Sequence, residues 1–314
     1  MKDPTLSKRE VCVCVCTFRR PHVLETLRTI DRCDVPDRIE MRIVVVDNDT
    51  RPSAMAAVTA MSEVSRHDVR YVHRPGANIS LARNAALAQA EGSHLVCFVD
   101  DDERVERSWL RALVARLDEA GCDVVLGPVT AIYGEGAPAW MQAARIHDTH
   151  PVWVDGTIRT GYAGNVMMRM DCPALVGRLF DVALGRTGGE DTAFFWAAYA
   201  AGAVIDYAPD AVLEEDVPAK RATMSWLLLR RYRSGQTHGT LLATGRTSSA
   251  RFGKIAVAGA KVIACAGLFL VRLPWTVRGR IALLRGALHV GTVSGLAGTR
   301  TVESYGGDAV HGDA

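Results

Sequence analysis

Apolar residues follow two rhythms through the first half of the chain. Short dense runs at 11–16, 42–46, 69–72, 95–99 and 124–126 have the character of buried strands. Between them, 23–33, 53–64, 80–90 and 109–120 repeat apolar positions at helical spacing. This alternation predicts an α/β domain: a mostly parallel, Rossmann-like sheet with helices on its faces. Pro21 and Pro52 stand near helix starts, where a missing N–H costs little, and Ser80 is the expected cap of the third helix. From 128 to 160 the rhythm fades into Gly, Pro, His and Trp, the composition of a long functional loop. It resumes at 166–170, 192–201 and 203–206, and the chain shows no repeat or low-complexity stretch.

Open parallel sheets bind ligands at the carboxyl ends of their strands. Three predicted strands end there in polar residues: Thr17-Phe18-Arg19-Arg20, Asp47-Asn48-Asp49 and Asp100-Asp101-Asp102-Glu103. If the strand at 95–99 continues extended, Asp100 and Asp102 project to one side and Asp101 to the other. Carboxylates held together repel unless a cation or proton intervenes, and their hard oxygens suit Mg²⁺ or Mn²⁺ that keeps water and phosphate ligands. The same run also reads as a solvated acidic turn ahead of a helix. A second acidic pair, Glu190-Asp191, opens a helix after Gly188-Gly189. A carboxylate there is placed to serve as a general base, or simply to complement a helix N-terminus.

Composition narrows the class. With 48% hydrophobic and 23% charged residues in 314 positions, the chain is a folded globular protein of one large or two small domains. The net charge of +2 hides an asymmetry: residues 217–300 hold 14 Lys or Arg and no acid, whereas residues 1–216 carry 23 bases against 32 acids. Opposite electrostatics imply two jobs. The eight cysteines lack the spacing of a disulfide framework and point to a reducing compartment. Cys12, Cys14 and Cys16 alternate with valines on one strand face and read as packing thiols, since no His or Cys pair stands nearby. The first ten residues contain no apolar h-region, so no secretory signal is expected and the catalytic part should stay in the cytoplasm.

Taken in order, Cys16-Thr17-Phe18-Arg19-Arg20-Pro21, Val44-Val45-Val46-Asp47-Asn48-Asp49, Ala82-Arg83-Asn84, Phe98-Val99-Asp100-Asp101-Asp102, Gly161-Tyr162-Ala163-Gly164-Asn165 and Gly189-Glu190-Asp191 resemble a family 2 glycosyltransferase of the GT-A fold. The resemblance covers residues 11 to about 240. Within that family the chain is most similar to bacterial exopolysaccharide glycosyltransferases of the succinoglycan type, which act on lipid-linked oligosaccharides at the cytoplasmic membrane face. The resemblance implies that Thr17, Phe18 and Arg19 line the nucleotide site and that Asp47, with Asp49 close by, accepts a hydrogen bond from the uracil imide. Arg83 is implied to lie near the nucleotide and the acidic motif, Asp100 to contact ribose with Asp101 beside it, and Asp102 to be the metal ligand of a D-x-D motif. Gly164 and Asn165 match the acceptor side, Asp191 the base, and Glu190 a neighbour that orients it or contacts acceptor. A UDP-sugar donor, Mg²⁺ or Mn²⁺, and a single in-line displacement that inverts the anomeric centre are implied with them.

Three other functions compete. A metal-dependent nucleotidyltransferase would carry a Gly-rich phosphate loop where Thr17-Phe18-Arg19-Arg20-Pro21 stands, and a dinucleotide oxidoreductase needs G-x-G-x-x-G after an early strand, whereas the near match at 134–139 comes late and contains Pro138. A non-catalytic carbohydrate-binding protein would release no UDP.

The basic part has its own pattern. Residues 225–235 read as an amphipathic helix whose Arg230, Arg231 and Arg233 either face solvent or meet an acceptor diphosphate or anionic lipid. The apolar run at 255–271, broken by Lys261, falls short of the ~20 residues of a span. Trp275, Arg272, Arg278, Arg280 and Arg285 follow it, as at a lipid interface. The expected organisation is a GT-A catalytic domain at 1–216 (nucleotide half 1–127, acceptor half 128–216), a basic amphipathic segment at 217–250, membrane-associated helices at 251–300 and a flexible tail at 301–314. The expected partners are a UDP-sugar, a lipid-linked or glycan acceptor and the inner face of the plasma membrane, to which the chain attaches peripherally, with no nucleic acid.

Overall fold

The computed structural model describes residues 8–244, 247–273 and 275–299; the expected flexible tail at 301–314 lies outside them. The strands, in chain order, are β1 (Arg9–Thr17), β2 (Ile39–Asp47), β3 (Asp68–His73), β4 (Leu95–Asp100), β5 (Glu103–Val105), β6 (Val124–Leu126), β7 (Val129–Tyr133), β8 (Trp153–Val154), β9 (Thr157–Ile158), β10 (Asn165–Arg169), β11 (Ile205–Tyr207) and β12 (Leu213–Val217). The helices are α1 (Val23–Arg32), α2 (Met55–Val64), α3 (Ile79–Gln89), α4 (Trp109–Ala120), α5 (Ala139–Ala143), α6 (Glu190–Ala200), α7 (Met224–Ala243), α8 (Ser248–Val271) and α9 (Val277–Leu296). Two compact units result among the described residues: 8–132 with 148–216, and 133–147 with 217–299. Residues 133–147, expected in the acceptor half, thus belong to the second unit, which α7, α8 and α9 share.

The first unit is built on a seven-stranded sheet in the order β11-β6-β10-β4-β1-β2-β3. It is parallel except at β10, which runs antiparallel between β4 and β6. β1 shows why the sheet is enclosed: Val11, Val13 and Val15 pack with Leu27 and Ile30 of α1, Val58 of α2 and Leu113 of α4, while Cys12, Cys14 and Cys16 pack with Ala82 and Ala86 of α3 and Phe194 and Phe195 of α6. A strand apolar on both faces needs helices on both sides. The cysteines are buried packing thiols.

Two local expectations are corrected. Ser80 does not cap α3; Asn78 does, accepting from Leu81 N at 3.2 Å, while Ser80 donates to the Asp181 carbonyl at 2.7 Å. Asn and Ser are near-equal caps, so sequence alone did not separate them. The stretch from 128 to 160 is not simply loop, because it holds β7, α5 and the β8–β9 hairpin. β7 pairs in a small sheet with β12, whose Leu-Glu-Glu-Asp-Val sequence lacks apolar alternation and takes its place beside β5 through the antiparallel register Leu213↔Val105.

The second unit is helical. Gly235 and Gly239 of α7 lie against Leu288 and Thr292 of α9, and Gly291 and Gly295 of α9 against Tyr232 and Gln236 of α7, so the two helices run parallel with backbones nearly touching. A Cβ at any of these glycines would overlap the facing backbone. α8 precedes α9 across a short connection and places Cys265 beside Gly286. At 24 residues α8 exceeds the expected run and is long and apolar enough to cross a membrane by length and composition. It leaves Phe252, Val257, Ile263, Leu270 and Val271 exposed.

Candidate active site

Strand register assembles the site. Thr17 at the end of β1 stands level with Asp47 at the end of β2, and Cys16 level with Asp100 at the end of β4, so the three polar termini share one sheet edge. β4 stops at Asp100 and the chain turns through Asp101 and Asp102, so the alternating projection expected of a continued strand does not occur. Instead Thr17 Oγ1 donates to Asp101 Oδ2 at 2.7 Å, and the Arg20 guanidinium pairs with Asp102 and stands 3.6 Å from Asp101. Burial, opposed by Arg20 and reinforced by Asp102, pushes the Asp101 carboxyl up to about 7.

Beside this turn lies the segment that the resemblance gives to the nucleotide. Arg19 takes φ of 55°, a left-handed conformation unusual for a side chain with Cβ. Its guanidinium lies 5.0 Å from the Phe18 ring centroid and donates from Nε to Asp49 Oδ1 at 2.9 Å. Burial raises the Asp49 carboxyl, but Arg19 and the Thr50 N–H outweigh it and hold the group below its usual range. Asp47 is fully buried and accepts from Asp49 N at 3.0 Å, Ala54 N at 2.8 Å and the Tyr71 hydroxyl at 2.9 Å. It therefore organises the β2–α2 loop, and a uracil imide would have to share its remaining lone pair.

Arg83 of α3 joins the two acidic motifs. Its buried guanidinium pairs with Glu190, lies 3.5 Å from Asp100 Oδ1, and stands 5.5 Å from the Phe180 ring centroid. Gly188 and Gly189 take φ of 85° and 90°, turning the chain into α6 so that Glu190 enters the protein and Asp191 stays half-buried at its surface. Asp191 Oδ1 accepts from Thr192 N at 2.6 Å. Glu190 is buried; desolvation and the Asp191 charge raise its carboxyl against the pull of Arg83. Desolvation within the cleft, Asp102 and Asp191 likewise raise Asp100, with Arg83 and Arg20 opposing. Asp102 and Asp191 thus both act on Asp100, which couples the acidic turn to the start of α6.

The acceptor-side expectations change. Asn165 does not face a ligand: its side chain is fully buried, accepts from Trp109 Nε1 at 2.9 Å and donates to the carbonyls of Pro128 and Ala211 at 2.8 Å each. Gly164 is needed for space, since a Cβ there would come 2.8 Å from Glu103 Oε1 and 3.2 Å from Asp100 Oδ2. Glu190 faces Arg83 rather than an acceptor volume. Sequence reasoning left three contributors without a role. Arg20 clamps the acidic turn, Tyr71 holds Asp47, and buried Glu103 accepts the Asp100 N–H at 2.9 Å. Arg20 and Glu103 adjoin the quoted motifs, whereas nothing local marks Tyr71.

The donor set fits a divalent cation held largely by phosphate. Asp100 and Asp102 are hard oxygen donors that repel one another, and among the described residues no three His, Cys, Asp or Glu side chains converge as a closed cage. Mg²⁺ and Mn²⁺ suit such partial sites, taking one or two carboxylates plus substrate oxygens.

Comparison with known proteins agrees with this architecture. Residues 12–172 match the Glycosyl transferase family 2 domain. Over 292 residues, spanning 93% of this chain and 94% of the relative, the sequence is 45% identical to the succinoglycan biosynthesis protein ExoM of Rhizobium meliloti. Over 120 residues, 38% of this chain and 21% of the other, it is 29% identical to the poly(ribitol-phosphate) beta-N-acetylglucosaminyltransferase TarS of Staphylococcus aureus. The crystal structure of TarS residues 1–349 in complex with UDP superposes with a TM-score of 0.53 at 18% identity, covering 92% of each chain.

Proposed function

The chain belongs to glycosyl transferase family 2, and from that premise we propose that it is a metal-dependent, inverting transferase that moves a sugar from a UDP-sugar to a lipid-linked or other glycan acceptor in exopolysaccharide synthesis. The observation that carries the reading is Arg83, a buried cation between Asp100 of the acidic turn and Glu190 of the α6 terminus, which ties the donor side of the cleft to the half-buried Asp191. The UDP complex of TarS supports the choice of nucleotide, and similarity to ExoM supports the class of acceptor.

Thr17, Phe18, Arg19, Asp47 and Asp49 form the uridine side, and Asp100 faces the ribose. Asp102, with Asp100 nearby, would hold Mg²⁺ or Mn²⁺, which when bound offsets the charge growing on the leaving diphosphate. Arg20 adds fixed positive charge at the same turn. Asp191 takes the proton of the acceptor hydroxyl as its oxygen attacks the anomeric carbon. The bond to the diphosphate breaks with its electron pair leaving on UDP, and attack from the opposite face inverts the centre. Glu190, ion-paired and enclosed, fixes Arg83 rather than accepting that proton. Catalysis takes place at the cytoplasmic face of the membrane, with the α7–α9 unit attached peripherally.

Mixing the protein with single UDP-sugars and a lipid-linked oligosaccharide extract should release UDP and extend the lipid-linked product by one sugar, read by mass spectrometry, and chelator should abolish both. Full activity in excess chelator contradicts the metal; absence of UDP release with every donor favours a carbohydrate-binding protein instead.

A further inference from the structure

Three helices of the second unit each place two basic residues on one face. Arg231 and His238 of α7, like Lys254 and Lys261 of α8, are seven residues apart, and Arg285 and His289 of α9 are four apart; both spacings return to the same side of a helix. The parallel α7–α9 register, with Gly235 against Leu288 and Tyr232 against Gly291, sets Arg231 level with Arg285, and the Cys265–Gly286 approach brings the Lys261 turn of α8 alongside His289. Each group feels its neighbours. Arg285 lowers Arg231 beyond the effect of burial, and desolvation with Lys261 and Arg285 lowers His289. Desolvation with Lys261, His289 and Lys254 lowers His238. Residues 217–300 supply no acid to relieve them. Like charges gathered at a surface without counter-charge cost stability unless something anionic binds there. Beside them α8 exposes Val257, three residues after Lys254 and four before Lys261, and Leu268, seven after Lys261, all on the lysine side of the helix. Positive charge next to bare apolar surface matches an amphiphile better than a nucleic acid, which offers phosphate without a hydrocarbon layer.

We propose that Arg231, Arg285, His289, His238, Lys261 and Lys254 form one receptor face for the phosphate headgroups of acidic phospholipids, with the flank of α8 entering the bilayer next to it. This rests on the membrane-surface reading above and names the lipid and the residues that recognise it. A headgroup phosphate among these groups favours the protonated imidazoles, so acidification strengthens attachment.

The test is sedimentation of the full chain with vesicles of phosphatidylcholine, with and without phosphatidylglycerol. The native protein should bind the acidic vesicles more tightly, the more so from about pH 7.5 to about pH 6. Arg231→Gln with Arg285→Gln should weaken that binding on the order of twentyfold without affecting donor hydrolysis. Its melting temperature should hold or rise, because the pair is mutually repulsive. His238→Gln with His289→Gln should flatten the pH response. Native-like binding of the arginine variant to acidic vesicles overturns the assignment, as does binding that requires polyprenyl diphosphate in neutral vesicles and ignores phosphatidylglycerol. A native chain that ignores both kinds of vesicle removes the membrane reading itself.

Discussion

Arg83 is enclosed by protein and yet stands between two carboxylates, so its energetic role is defined by what its loss would leave behind. Arg83→Met strands Glu190 as a buried charge and should cost about 3–5 kcal/mol in chemical denaturation. Adding Glu190→Leu should recover much of that loss while activity stays absent, since a well-packed apolar pair removes the unpaired charge but not the broken link to Asp100. Asn165 illustrates the opposite lesson. Its motif position suggested acceptor contact, but three buried hydrogen bonds tie β10 to Trp109, Pro128 and Ala211. Asn165→Leu should destabilise the fold by about 1–3 kcal/mol through the partners left unsatisfied, with turnover per folded molecule little changed. A large fall in turnover at native stability would return Asn165 to the acceptor site.

At the scale of elements, the sequence was most legible where one physical term dominates. Runs apolar on both faces, such as β1, form central strands, and the polar residues at their carboxyl ends come together on one sheet edge as expected. β12 was invisible because its three consecutive acids lack alternation and gain a strand only by pairing with β5. Asp101 and Asp102 were misplaced because the strand ends at Asp100, and pairing with Thr17 and Arg20 governs the turn. The close α7–α9 packing was not anticipated either, although glycines four apart occur in both helices and allow such an approach. Gly291→Ala would drive a methyl group into the Tyr232 carbonyl and should cost about 1–3 kcal/mol or more, seen as a lower melting temperature. A surface glycine such as Gly259, with open space around its missing Cβ, should tolerate alanine and serve as the control.

For the whole molecule, the contrast between acidic residues 1–216 and basic residues 217–300 follows the two compact units closely, and the proposed function gives transfer chemistry to the first and attachment to the second. If α8 lies in the interface, high salt should elute part of the full-length protein from native membranes and alkaline carbonate should remove the rest; a spanning α8 would resist both. The central claim is that Asp191, not Glu190, removes the acceptor proton in a UDP-dependent transfer. The measurement that tests it most directly compares turnover and donor affinity of Asp191→Asn with the native chain, using radiolabelled UDP-sugar and lipid-linked acceptor. The account predicts turnover lower by about a hundredfold or more, with UDP-sugar affinity nearly unchanged. Native-like turnover in Asp191→Asn would contradict it.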